Sequence, residues 1–172
     1  MMKKFNQNIM DVVDSVVVAL VAVMLLFTLV GRIYQVDGDS MNTTLTDGDR
    51  ILVSQLFYTP KQGDIVCFVS QDMNEKILVK RIIATPGQTI DINEQYKVVI
   101  DGKVLEEDYL NTWIYTDPKY FDFPYTVKEG EVFCLGDNRI NSKDSRDLGP
   151  IETRYLMGRL ILRLAPNFGV VN

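Results

Sequence analysis

A serine in the run Gly38-Asp39-Ser40-Met41 and a lysine in the run Ile77-Leu78-Val79-Lys80-Arg81-Ile82-Ile83-Ala84 are the residues whose surroundings most suggest chemistry. The chain has no histidine, so a hydroxyl nucleophile needs some other base. Imidazole proton shuttles and metal sites of the usual His-bearing kind are excluded with it. Lysine is the natural candidate, because desolvation lowers its pKa toward the range in which it accepts a proton. Arginine stays charged whatever surrounds it. Period-2 alternation places Lys80 on one strand face with Leu78, Ile82 and Ala84, and Arg81 on the other with Val79 and Ile83. Both faces are apolar, so the pattern does not say which cation lies inside. Plainer readings stand beside the chemical one: Ser40 as a turn hydroxyl, and Lys80 as a side chain whose amine snorkels to water.

A third cluster runs Gly136-Asp137-Asn138-Arg139-Ile140-Asn141-Ser142-Lys143-Asp144-Ser145-Arg146-Asp147-Leu148-Gly149, directly behind a hydrophobic stretch. It reads as a solvated loop with paired charges or as a hydrogen-bonded scaffold that fixes other side chains. Cys67 and Cys134 sit in apolar runs and read as free, buried cysteines before they read as a disulfide. No CxxC spacing exists, so neither dithiol redox chemistry nor zinc is expected, and the chain is read as needing no metal or cofactor. Eighteen basic against 23 acidic residues, a net charge of −5, leave no electrostatic footprint for nucleic acid.

These groups must be positioned by a small fold. The 172 residues, 47% hydrophobic and 24% charged, suit one domain plus one extra element. The extra element is N-terminal. A bilayer core of about 30 Å needs roughly 20 apolar helical residues. Residues 10–31 supply that length, and Val16 to Val30 carry no charge. A cleaved secretory signal is the rival reading, since Lys3 and Lys4 form a basic start, but Phe27-Thr28-Leu29-Val30 offers no small-x-small cleavage site. A helix buried in a soluble domain is the other. The expectation is an uncleaved single-pass anchor over residues 1–32, with the N-terminus cytoplasmic, and an extracytoplasmic domain over 33–172.

That domain reads as strands. Ile51 to Leu56, Asp64 to Val69, Ile77 to Ala84, Lys97 to Leu105 and Glu131 to Leu135 are apolar and bounded by Gly, Pro or Asp. Asp101-Gly102 suits a two-residue primed turn within a hairpin. Tyr155 to Leu164 fits a strand or a short helix. A stretch rich in Asp, Tyr and Pro, carrying Trp113, Tyr115 and Phe121, reads as an excursion from the main sheet, a smaller lobe over about 89–130. The fold class is mainly β.

Four ordered blocks carry a resemblance: 38–45 (G-D-S-M-N-T-T-L), 63–68 (G-D-I-V-C-F), 79–88 (V-K-R-I-I-A-T-P-G-Q) and 136–149 (G-D-N-R-I-N-S-K-D-S-R-D-L-G). Together, behind an apolar helix, they resemble the bacterial type I signal peptidases, in the short Gram-positive form with one anchor. The resemblance implies a compact β-sheet or barrel catalytic domain and a serine/lysine dyad that cleaves signal peptides from exported proteins. It makes Ser40 the nucleophile and Lys80 the general base, with Ser142 orienting the amine. Asp144 and Arg146 become an ion-paired support, with Asp137 nearby. Three positions depart from the family's usual residues: Thr43 for proline, Gln88 for aspartate, and Gly38 for the oxyanion-hole serine of one branch. The Ser40 N–H is then the oxyanion donor that can be named.

The expected reaction begins with substrate docking. A precursor's extended cleavage region pairs with strand edges near Tyr34 to Asp37 and near Lys80, with Val36, Met41, Leu45 and Val79 as candidate pocket residues. Neutral Lys80 takes the Ser40 proton, an acyl-enzyme forms, and water activated by the same amine hydrolyses it. The expected partners are signal-peptide-bearing precursors, the bilayer and the secretion machinery, with the enzyme a monomer at the cell membrane. Two rival functions are a non-catalytic module assisting surface-protein assembly and a self-cleaving repressor protease. The first should have lost the serine or lysine; the second should carry a DNA-binding helix pair.

Overall fold

The computed structural model describes residues 2–110 and 115–171, with side chains of the first helix described for residues 10–24. Trp113 lies outside the described residues. The chain opens with α1 (Met2–Val30) and β1 (Arg32–Gln35), then β2 (Arg50–Ser54), β3 (Ile65–Ser70) and β4 (Lys76–Ala84). The excursion holds β5 (Thr89–Ile92), β6 (Val98–Ile100), β7 (Lys103–Val104) and β8 (Tyr125–Thr126). The chain returns through β9 (Glu131–Leu135), α2 (Ser145–Leu148), β10 (Ile151–Glu152) and β11 (Leu156–Ala165). The fold is mainly β, with every pairing antiparallel.

Seven strands form the main sheet in the order β1-β2-β11-β3-β4-β9-β10, and four form a second in the order β7-β6-β5-β8. The stretch that fits either strand or helix on sequence grounds is β11, a strand. It fills the gap between β2 and β3, where two neighbours satisfy its backbone groups at once. Strand ends shift by a residue or two from the apolar runs: β2 stops at Ser54 because a turn begins at Gln55, whose carbonyl accepts from the Tyr58 N–H. The Asp101-Gly102 turn has φ of 51° and 78°, the primed geometry expected.

The core explains why β3 and β4 read as continuous apolar runs rather than alternating ones. Ile65 and Cys67 face a cluster with Val36, Met41, Leu45, Ile51 and Val53. Val66 and Phe68 face another with Ile82, Val132, Cys134, Ile151 and Leu156. A strand covered on both faces has no polar side to show. Cys67 and Cys134 fall in separate clusters, and both are free and buried. The third cluster joins the sheets, packing Ile90, Val98 and Ile100 on Ile83, Ala84, Phe133 and Leu135.

α1 stands apart from all three clusters. Its described side chains are exposed, Val18 at 67% and Met24 at 72%, and none belongs to a core cluster. Among the described residues no helix is long and apolar enough to cross a membrane.

Candidate active site

Lys80 lies in the middle of β4, opposite Val66 of β3, with 2% of its surface exposed. Its stem follows the strand face, and its amine turns back to donate to the Val79 carbonyl at 2.8 Å. It makes a second contact: Lys80 Nζ lies 2.7 Å from Ser40 Oγ. The snorkelling alternative is thereby removed.

Arg81, the next residue, is buried equally, at 3%. Its guanidinium makes a two-point pair with Asp137, Nε to Oδ1 at 3.0 Å and Nη2 to Oδ2 at 2.8 Å, and donates to Gly63 O at 3.0 Å. Such bidentate pairing is the geometry in which a buried charge is tolerated. Asp144 is committed in the same way, receiving Arg146 Nε at 2.8 Å and Nη2 at 2.7 Å while capping α2 and accepting the Gly136 N–H at 3.0 Å. Asp137 and Asp144 are therefore held by arginines before Lys80 can claim either. Among the described residues no carboxylate lies within ion-pair distance of its amine.

The consequence is electrostatic. Burial pushes the Lys80 amine down from 10.5 to about 8, against the opposing pull of Asp144, Cys134, Asp137 and Cys67. Burial alone would raise the Asp144 carboxyl; Arg146 and the Gly136 N–H outweigh it and hold the group below the ordinary carboxylate range. The same dry surroundings push the Cys67 thiol up to about 12, so it stays protonated beside the amine.

Ser40 is placed by backbone. Its carbonyl accepts the Asn138 N–H at 3.0 Å, and the Asn138 amide donates to Asp39 O at 3.0 Å. Thr44 Oγ1 donates to Asp137 Oδ2 at 2.5 Å, so the serine loop and the 136–149 loop are joined on both sides of the hydroxyl. Gly136 permits this closeness: a Cβ there would sit 2.2 Å from Ser142 Oγ and 2.5 Å from Ser40 O. Gly38 has φ of 89°, a conformation that disfavours a serine there, and its N–H is held by Asp47. Gln88 Oε1 accepts both the Thr85 N–H and the Thr85 hydroxyl at 2.9 Å.

The remaining expected residues divide. Ser142 is 7% exposed and adjoins Gly136, yet its Oγ makes no hydrogen bond, so the contact with the lysine amine is not formed here. Val36, Met41 and Leu45 are core residues, 4%, 1% and 0% exposed, packed beneath the serine loop; Val79 alone of the four pocket candidates is partly open. Arg139 is a structural residue that sequence reasoning does not single out. Its guanidinium is buried, gripping Glu107 and the Gly136 carbonyl. Inside a run of charges nothing distinguishes a buried arginine from a solvated one. Among the described residues no group of acids or cysteines is arranged to hold a metal ion.

A profile of the signal peptidase family, peptidase S26, matches residues 9–165. The chain belongs to the bacterial type I signal peptidases. It is thus a serine endopeptidase of that family. The probable signal peptidase I-1 of Synechocystis is 33% identical over 171 residues, covering 93% of this chain and 84% of the relative. Signal peptidase I V of Bacillus subtilis is 36% identical over 138 residues, covering 73% and 80%. Signal peptidase IB of Staphylococcus aureus (strain COL) is 29% identical over 178 residues, covering 94% and 92%. The crystal structure of a signal peptidase I from Enterococcus faecalis shares 33% identity and a TM-score of 0.50, covering 60% of this chain and 97% of that one. The antiparallel main sheet of this signal peptidase carries the Ser40–Lys80 contact at the centre of β4, where the buried half of that strand begins.

Proposed function

We propose that the chain removes N-terminal signal peptides from exported precursor proteins by acyl transfer, with Ser40 as nucleophile and Lys80 as general base. The observation that carries this reading is the 2.7 Å approach of a buried amine, without a counter-ion, to a serine hydroxyl. A neutral amine has two N–H bonds and one lone pair. Val79 O takes one N–H, which leaves the lone pair free to face Ser40. With a value of about 8, half the sites are neutral near that pH. The proton leaves Oγ for Nζ as the hydroxyl attacks the carbonyl carbon, and Lys80 then returns it to the leaving amine. The ester is hydrolysed by water that the same amine deprotonates. The Ser40 N–H is the named oxyanion donor.

The substrate is read as an added strand. β4 pairs with β3 from Lys76 to Arg81, but with β9 only from Arg81 onward. Its other edge over 76–80 is free of a neighbouring strand among the described residues, and β1 is likewise an edge. A peptide laid between them pairs by backbone bonds, with Val79 as a pocket wall and Met41, Leu45 and Val36 as the packed floor.

Membrane attachment belongs to the same proposal. α1 is 29 residues long, carries no charge from Val16 to Val30, and turns its described aliphatic side chains outward. An N-in, single-pass anchor would hold enzyme and precursor at one surface and raise their effective concentration. A non-catalytic role as an assembly module is disfavoured by the retained contact between serine and lysine.

Ser40→Ala and Lys80→Ala should each abolish cleavage of a precursor in detergent, with product N-termini sequenced from a mixed precursor set. Near-parental turnover in either variant defeats the dyad. The wild-type kcat/KM should rise with pH and level off above about 8; a plateau reached at acidic pH would transfer the work to a carboxylate.

A further inference from the structure

The excursion between β7 and β8 makes an unusual set of contacts: it reaches the 136–149 loop through Glu107, Thr116, Asp117 and Lys119. Glu107 grips the buried Arg139 at two points, Oε2 accepting from Nη1 at 3.0 Å and Oε1 from Nη2 at 2.5 Å, and Thr116 Oγ1 accepts from Nη1 at 3.0 Å. Asp117 O accepts from Arg146 Nη1 at 3.1 Å. The Lys119 amine donates to Ser142 O at 2.5 Å and pairs with the Asp147 carboxylate. Tyr109 ties the set to β4: its hydroxyl donates to Glu107 Oε1 at 2.5 Å, and the Arg81 guanidinium sits 3.9 Å over its ring.

We propose that this segment is a brace that keeps Ser40 in register with Lys80, and that Glu107 is its principal positioning residue. The proposal rests on Ser40 and Lys80 being the reacting pair. The mechanical path is short. Glu107 orients Arg139, whose Nε–H holds the Gly136 carbonyl at 3.0 Å, and two residues on the Asn138 N–H holds the Ser40 carbonyl at 3.0 Å. Glu107 also neutralises a guanidinium whose side chain is fully buried. Without that acid Arg139 keeps its charge and turns to Asp137, the other carboxylate acting on it. Asp137 is the partner of Arg81 and Thr44, so the disturbance passes directly into the serine loop. The substrate edges of β1 and β4 lie outside this path, so binding should be spared where turnover is not.

The decisive variant is Glu107→Gln, which keeps volume and removes the charge, assayed as the full chain in detergent for kcat, KM and melting temperature. The brace predicts kcat per folded molecule lower by roughly 10–100-fold, the range expected when a reacting group is displaced by about 1 Å, with KM within about twofold. A merely structural link would lower the melting temperature and leave kcat per folded molecule at the parental value, which overturns the proposal. Tyr125→Phe is the matched control. It removes the Tyr125–Glu131 bond between the same two sheets without touching Arg139, and its kcat should be parental. Should Glu107→Gln fail to fold, Tyr109→Phe decides: a severalfold loss of kcat supports the brace and an unchanged kcat overturns it. Should Ser40→Ala or Lys80→Ala keep turnover, the reacting pair itself is wrong and the brace falls with it. If both are dead and Glu107→Gln turns over normally, the brace alone is refuted.

Discussion

Lys80 and Arg81 are consecutive cations in one strand, 2% and 3% exposed, and their fates are opposite. Arg81 points to the loop and meets Asp137 at two points. Lys80 points the other way and meets a carbonyl and a hydroxyl. Equal burial therefore accompanies a carboxylate-paired guanidinium in one case and, in the proposed reading, a titrating base in the other. The difference lies in which carboxylates are already taken. With Asp137 held by Arg81 and Asp144 by Arg146, neither carboxylate pairs directly with the lysine, and their pull on it only partly offsets desolvation. Arg81 of β4 and Arg146 of the loop thus occupy carboxylates that could otherwise pair with Lys80.

The harshest break of this contrast is to make the two neighbours alike. Lys80→Arg keeps the positive charge but cannot be deprotonated, so kcat should fall by about 10⁴-fold or more, as it does when one member of a catalytic unit is removed. Measurable turnover within tenfold of the parent would show that charge, not proton transfer, is needed. Next in size is the paired side. Asp137→Ala removes the two-point carboxylate partner of the buried Arg81, and chemical denaturation should show a loss of about 3–5 kcal/mol. A loss under about 1 kcal/mol would mean the pair is solvated in solution.

A gain should come from the unpaired side. The folded value of Lys80, about 8, lies below its unfolded 10.5, so the unfolded chain binds more protons between those limits. Stability should therefore rise as pH climbs from about 8 to about 10.5, and it carries a constant deficit below. Lys80→Met should remove that deficit and stabilise the neutral-pH protein by up to about 3 kcal/mol, with the advantage gone above pH 10.5. Denaturation curves at pH 7 and pH 10.5 test the sign; a destabilised variant at pH 7 would place the amine in a charged, compensated state. The smallest effect belongs to the exposed pair Lys76–Asp37, at the start of the same strand. Lys76→Ala should leave the melting temperature unchanged, because water screens what the interior does not.

Much of this is legible in residue order. The double-faced apolar run around Lys80 marks a strand in which a cation has to be buried or bent away, and the absence of histidine makes lysine the candidate base for Ser40. The 136–149 block announces a polar scaffold, and Asp144 and Arg146 take the paired roles expected of them. Other parts are not legible. Val36, Met41 and Leu45 stand next to the serine in sequence and suggest pocket walls, yet they fill the core beneath it, since nearness along the chain does not say which side of a loop faces water. Ser142 lies beside the site without touching the amine. Glu107 and Arg139, 32 positions apart, carry no local pattern that joins them.

The order of residues alone determined the chemical repertoire and the strand character, because side-chain type and apolar periodicity are local properties. It also determined the uncharged N-terminal helix stretch and the family. Tertiary structure alone decided which of two adjacent cations met an acid. That choice depends on carboxylates brought from far along the chain, such as Asp137 to Arg81 with a separation of 56, and only closure of the sheet brings them there. Which of two neighbouring cations meets an acid is settled by residues far along the chain, and no local stretch of sequence records them.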